Sequence, residues 1–100
     1  MSTKKQIREK FRNAVFTRDG GKCVFCNAQA VDAHHITDRT EIINGGYVKE
    51  NGISLCSTHH ILAEKFHETG ISVDGFSPED LYKKIKSSKE LAIKMSANLK

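Results

Sequence analysis

At one hundred residues and 38% apolar, the chain is one small domain with a thin core. Lys and Arg number 16 against 12 Asp and Glu, and the net charge of +4 is a mild hint of an anionic partner. No apolar run nears the ~20 residues of a membrane span, no apolar stretch follows the charged N-terminus as in a signal peptide, and one Pro among ordinary aromatic content excludes a disordered or low-complexity chain.

Residues 4–18 read as a helix. Thr3 and Gln6 have capping-box spacing, Ile7, Phe11, Ala14 and Val15 make one apolar stripe, and Gly20-Gly21 stops it. A tight Cys23-Val24-Phe25-Cys26 turn follows, and residues 30–36 read as a short strand. The long polar stretch 37–50 holds a turn at Asn44-Gly45-Gly46, across which 40–43 and 47–49 are expected to pair. Residues 53–55 form a second strand candidate, and a helix runs from near Thr58 to Gly70. Ser77-Pro78-Glu79-Asp80 starts another helix. Leu81, Ile85, Ala92, Met95 and Leu99 then keep helical spacing, with a break at Ser87-Ser88. Without a linker, the chain reads as a single α+β domain with helices at both ends.

Three Cys are an odd number, and two lie in a C-x-x-C pair. That pattern argues against a secreted disulfide framework and for metal binding in a reducing, cytoplasmic compartment. Cys23-x-x-Cys26 and Cys56-x-x-His59 are matched knuckles, and a two-residue gap lets both side chains of each turn onto one ion. Thiolate and imidazole suit tetrahedral Zn²⁺, so a structural zinc is expected on Cys23, Cys26, Cys56 and a histidine. Either His59 or His60 can complete the set, and the symmetry of the knuckles favours His59. A structural zinc also offsets the thin core, because metal binding is folding free energy in such domains.

The other histidines form a second constellation. His34-His35 ends the first strand, where a twisted end can bring both toward one cleft. His60 opens the later helix, with Glu64 and His67 on the same face at i+4 and i+7. A histidine and a carboxylate one turn apart can chelate a divalent metal, although Glu64 is equally placed for a surface salt bridge with Lys65 or Lys5. His67 reads as an ordinary polar residue.

The run Cys23-x-x-Cys26, Ala33-His34-His35-Ile36, Asn51-Gly52-Ile53-Ser54-Leu55-Cys56-x-x-His59-His60 resembles the HNH endonuclease family, over about 18–67. The resemblance implies a ββα-metal (His-Me finger) core stapled by zinc, with the basic helix 4–18 and the helical region 78–99 flanking it. By this resemblance His35 is the general base, His34 and His60 hold a catalytic divalent metal, and Asn51 orients the base-bearing loop or ligates the metal. Glu64 lies where some relatives place a further His ligand. The chain departs from the family's frequent Cys-x-x-Cys second knuckle, since His59 stands in the last position. The implied activity is metal-dependent, nicking hydrolysis of DNA, giving 5′-phosphate and 3′-hydroxyl ends with low sequence specificity unless a protein partner supplies it. Mg²⁺ or Mn²⁺ is the expected catalytic metal, with Ni²⁺ or Zn²⁺ as alternatives. The relatives are small stand-alone proteins of bacteria and phages.

Charge is uneven along the chain: +5 over residues 1–22, −6 over 23–82 and +5 over 83–100. Lys4, Lys5, Arg8, Arg12 and Arg18 on the first helix are candidate phosphate contacts, and a solvated helix face is the bland alternative. Two other readings stand beside the nuclease: a zinc-stapled DNA-binding module without catalysis, and a zinc-organised protein-interaction domain.

Overall fold

The computed structural model describes residues 3–99 and shows a small α+β protein. Helix α1 (Lys4–Asp19) begins with the expected capping box: Thr3 accepts from the Gln6 N–H, and the Gln6 side chain accepts from the Thr3 N–H. Gly20, left-handed at φ 68°, ends it. Of its apolar stripe, Phe11 and Val15 are buried. They rest on strand β2 at Gly52, where a Cβ would meet Val15 Cγ2 and the Phe11 ring, so only glycine permits this approach.

Strands β1 (Asp32–His35) and β2 (Gly52–Leu55) pair antiparallel, with His34 opposite Ile53 and His35 opposite Gly52. The first strand is shorter than the expected 30–36. Its hydrogen bonding nevertheless runs on irregularly at both ends, from the Val31 N–H to Leu55 O (2.9 Å) and from the Ile36 N–H to Asn51 O (2.9 Å). The outer side of β2 is also bonded. Ser54 N–H donates to Asp19 Oδ2 (3.1 Å), Ser54 O accepts from the Val24 N–H (3.1 Å), and Gly52 O accepts from Arg18 (2.7 Å).

The expected pairing of 40–43 with 47–49 does not occur. Between the strands the chain makes short 3-10 turns at Arg39–Glu41 and Lys49–Asn51, with an irregular turn at Ile43–Gly46 between them. Asn44, Gly45 and Gly46 are all left-handed, at φ 58°, 82° and 69°. A two-residue hairpin turn uses two such residues, and a third swings the chain out of hairpin register. The loop bonds instead to the last helix: Ser96 Oγ donates to Ile43 O (2.6 Å) and accepts from the Gly46 N–H (3.0 Å).

Helix α2 (Ser57–Thr69) starts one residue before the expected Thr58 and ends at left-handed Gly70. Helix α3 (Pro78–Lys84) starts with the Ser77–Asp80 capping box. Lys86, at φ 58°, breaks the chain before Ser88 caps α4 (Lys89–Ala97). The inner face of α4 is Ala92 and Ser96, not Met95, which is 37% exposed, and Leu99 lies beyond the helix end. Small residues face inward there because the loop backbone at Ile43 and Gly46 comes within hydrogen-bonding reach. Ile36, Ile53, Leu55, Leu81, Tyr82 and Ala92 are the centre of the core. Among the described residues no helix is long and apolar enough to cross a membrane.

Candidate metal centres and reactive cleft

The two knuckles meet. The Cys23–Cys26 turn is closed by the Cys23 N–H on Ala28 O (2.7 Å), and Cys56 and His59 sit at the start of α2. Sγ of Cys23 lies 3.5 Å and Sγ of Cys56 3.2 Å from Nδ1 of His59, and Cys26 and Cys56 sulfurs are 3.7 Å apart. Tetrahedral zinc with Zn–S of about 2.3 Å and Zn–N of about 2.0–2.1 Å requires S···S near 3.8 Å and S···N near 3.6 Å. The donors therefore already stand close to the edges of that tetrahedron, and Cys23, Cys26, Cys56 and His59 could hold a zinc ion. His59, not His60, completes the set. Burial raises the Cys23 thiol, but backbone N–H groups of Cys56, Phe25 and Cys26 outweigh it and bring its pKa down to about 6, favouring the thiolate that binds metal. The His59 ring packs beside Phe25 (5.4 Å) and Phe76 (5.8 Å), which also pack on each other (4.6 Å).

His34, His35, His60, Glu64 and His67 line one cleft of about 300 Å³ with Asp32 and Asp38. Both histidines of the strand end reach it. His34 is only 3% exposed. Its Nδ1 lies 3.3 Å from Glu64 Oε2, and its Nε2 is buried without a partner. Nε2 of His60 lies 3.2 Å from both Asp32 Oδ2 and Glu64 Oε2. His34 Nδ1 and His60 Nε2 together face two carboxylates, and the buried, neutral His34 ring brings no positive charge. A divalent cation would supply it, and the donor set fits one: Asp32, His34 and His60 offer ligand atoms within 4.8 Å of one another. Glu64 thus faces His34 and His60 rather than Lys65, which pairs with Glu68 (3.8 Å), or Lys5.

His35 stacks on Phe11 (4.4 Å between centroids) and meets the Tyr47 ring edge-on (4.8 Å). Its Nε2 is buried and unpartnered. Burial lowers the pKa of His35 to about 4 and of His34 to about 3, so both rings are neutral near pH 7. His67 Nε2–H donates to the backbone carbonyl of His35 (2.9 Å), which ties α2 to the end of β1.

Asn51 is 0% exposed and does not line the cleft. Its Oδ1 accepts from the Thr37 N–H (2.9 Å) and the Tyr82 hydroxyl (2.6 Å), and its Nδ2 donates to Thr37 O (3.1 Å) and Gly46 O (3.2 Å). Because Oδ1 only accepts, Tyr82 donates to it and takes a hydrogen bond from Thr37 Oγ1 (2.6 Å). These bonds tie the chain at Thr37, two residues after His35, to the loop at Gly46 and to α3.

The cationic candidates divide. Lys4 and Arg8 line cavities on the cleft side, and Arg39 joins them. Arg18 is engaged within the fold: it donates to both carboxylate oxygens of Asp19, to Lys49 O (2.6 Å) and to Gly52 O (2.7 Å), which occupies four of its five N–H groups. Arg12 lies over the Phe16 ring at 4.7 Å and donates to Val31 O (3.3 Å). Lys5 is exposed on α1 and lines none of the cleft.

Sequence reasoning missed Asp32, Tyr82 and the brace made by His67. Asp32 had a legible sign, since i and i+2 on a strand share a face and His34 follows it by two. Comparison of the chain with protein-family models, with curated proteins and with solved structures finds no match in any of the three.

Proposed function

We propose that the protein is a cytoplasmic, metal-dependent DNA endonuclease of the HNH type, built on a ββα-metal core. The supporting observation is the convergence of two imidazoles and two carboxylates in a cleft that also contains a neutral, buried histidine. The order β1, β2, α2 supports the core assignment, because His34, His35 and His60 come from the end of one strand and the start of the helix that follows the other.

His35 accepts the proton of a water that attacks the scissile phosphorus. The new oxygen–phosphorus bond forms as the bond to the 3′-oxygen breaks, and the leaving oxygen takes its proton from solvent. His34 and His60, with Asp32 and Glu64, would hold a divalent ion, whose chemistry is neutralisation of charge on the phosphate and leaving oxygens. Phe11 and Tyr47 keep the His35 ring in place, and the His67 bond fixes the backbone that carries it. Arg8 and Arg39 supply positive charge at the rim for phosphate.

The test is supercoiled-plasmid nicking by zinc-loaded protein in Mg²⁺, Mn²⁺, Ni²⁺ and Zn²⁺. The parent should produce relaxed circles in at least one metal, and His35→Ala should slow this by about 10²–10⁴-fold with zinc content unchanged. Equal rates for parent and variant sink the base assignment. DNA retention without cleavage in every metal leaves a zinc-stapled binding module instead.

A further inference from the structure

A second cavity, of about 450 Å³, adjoins the histidine cleft. Arg8, Arg39 and Tyr47 line both, so the two are continuous along one wall. Among the described residues its cations are Lys4, Arg8 and Arg39, no carboxylate lines it, and its apolar surface comes from Ile7, Tyr47 and Leu99. The contrast with the cleft is chemical: carboxylates and imidazoles on one side of Tyr47, a cationic rim around apolar walls on the other.

Tyr47 is fixed from several sides. Its ring is edge-on to His35 (4.8 Å) and to Phe11 (5.9 Å). Against the turn it lies so close to Gly45 that a Cβ there would come within 2.9 Å of Tyr47 Cδ2. Gly45 also has φ +82°, so the position excludes side chains twice over. The aromatic wall shared by the two cavities is therefore set before any ligand arrives.

We propose that this cavity receives one unpaired DNA base next to the phosphate held in the histidine cleft, so that the protein selects single-stranded or frayed DNA over intact duplex. The inference rests on the nuclease reading and names its substrate class. Charge complementarity selects the occupant. A nucleotide presents a flat apolar ring with an anionic phosphate at its edge, matching apolar walls within a cationic rim. The volume falls in the range of ligand pockets, about 300–1,000 Å³. A base in a duplex is stacked on both faces and must be unstacked before it can enter, whereas an unpaired base enters without that cost. Stacking on an aromatic side chain is tolerant of sequence, because every base has a π-face.

The experiment measures fluorescence anisotropy of a labelled 12-nucleotide strand and of its duplex. It uses zinc-loaded parent protein without added divalent metal, with oligonucleotides verified intact afterwards. The single strand should bind about 5- to 100-fold more tightly than the duplex. Ile7→Trp, which fills the cavity, should reduce that preference to below about twofold. Leu99→Trp serves as a second filling variant if the first fails to fold by circular dichroism and zinc content. Equal affinity of the parent for both forms, or an undiminished preference in a folded filling variant, overturns the base pocket and leaves the nuclease reading standing. No binding of the parent to either form overturns the base pocket, and together with no nicking in any metal it overturns both.

Discussion

Replacing Asn51 with Ala should destabilise the protein more than any other single polar truncation in the loop. The side chain is fully buried and makes four hydrogen bonds, to Thr37 N–H, Thr37 O, Gly46 O and the Tyr82 hydroxyl. Truncation leaves those partners buried without replacements. Each is worth about 0.5–1.5 kcal/mol net, and more where the orphaned group cannot reach water. The expected loss is about 3–5 kcal/mol, a large fraction of the ~5–15 kcal/mol typical of a small domain. With a urea slope of about 1.5 kcal/mol/M, the midpoint should fall by roughly 2–3 M. The chain has no Trp, so far-UV circular dichroism is the probe, with free zinc held constant because binding itself adds stability. Asn51→Asp should not rescue, since a carboxylate cannot donate to the two carbonyls. Tyr82→Phe, which removes one donor to Asn51, should cost only about 1–2 kcal/mol. A midpoint shift below about 0.5 M for Asn51→Ala would refute the bracing role.

Three further predictions separate the sites. His59→Ala should lose the tightly held zinc, whereas His60→Ala should retain it and lose nicking, as read by metal analysis of gel-filtered protein beside the plasmid assay. Above pH 6.5 the His35 ring is neutral folded and unfolded. Below it the unfolded ring takes a proton that the folded ring refuses until about pH 4, so stability falls as pH drops across that window. His35→Phe should flatten this acid-side loss by on the order of 2–3 kcal/mol, and an unchanged pH slope in urea titrations would contradict the buried neutral ring. His67→Ala should lower the nicking rate without releasing zinc, and His67→Gln, which keeps an N–H toward the His35 carbonyl, should recover part of it. Equal rates for the two variants would remove the bond from the argument.

Local chemistry was the legible part of this chain. Thr3 and Gln6, and Ser77 with Asp80, announce their helices through capping bonds that span three residues. The knuckle spacing likewise places Cys23, Cys26, Cys56 and His59 together, because each half needs only a two-residue turn. The loop between the strands was not legible. Its course depends on Asn51, Ser96 and Tyr82, whose partners lie up to 53 positions away, and on a third left-handed residue that spoils the hairpin suggested by Asn44-Gly45. The same applies to Arg18. Its charge suggests phosphate, and only the tertiary fold presents the carbonyls of Lys49 and Gly52 that occupy it.

Those Arg18 contacts, with Asp19 and Val24, have a consequence for how molecules meet one another. A two-stranded sheet has a high proportion of edge, and an unpaired edge is a template for strand addition and aggregation. Here the free side of β2 offers a second molecule little to pair with. The Ser54 amide is taken by a carboxylate, its carbonyl by the Val24 amide, and the Gly52 carbonyl by a guanidinium. The end of α1 works as a hem sewn along this side of the sheet, so that edge is closed to strand addition without a third strand.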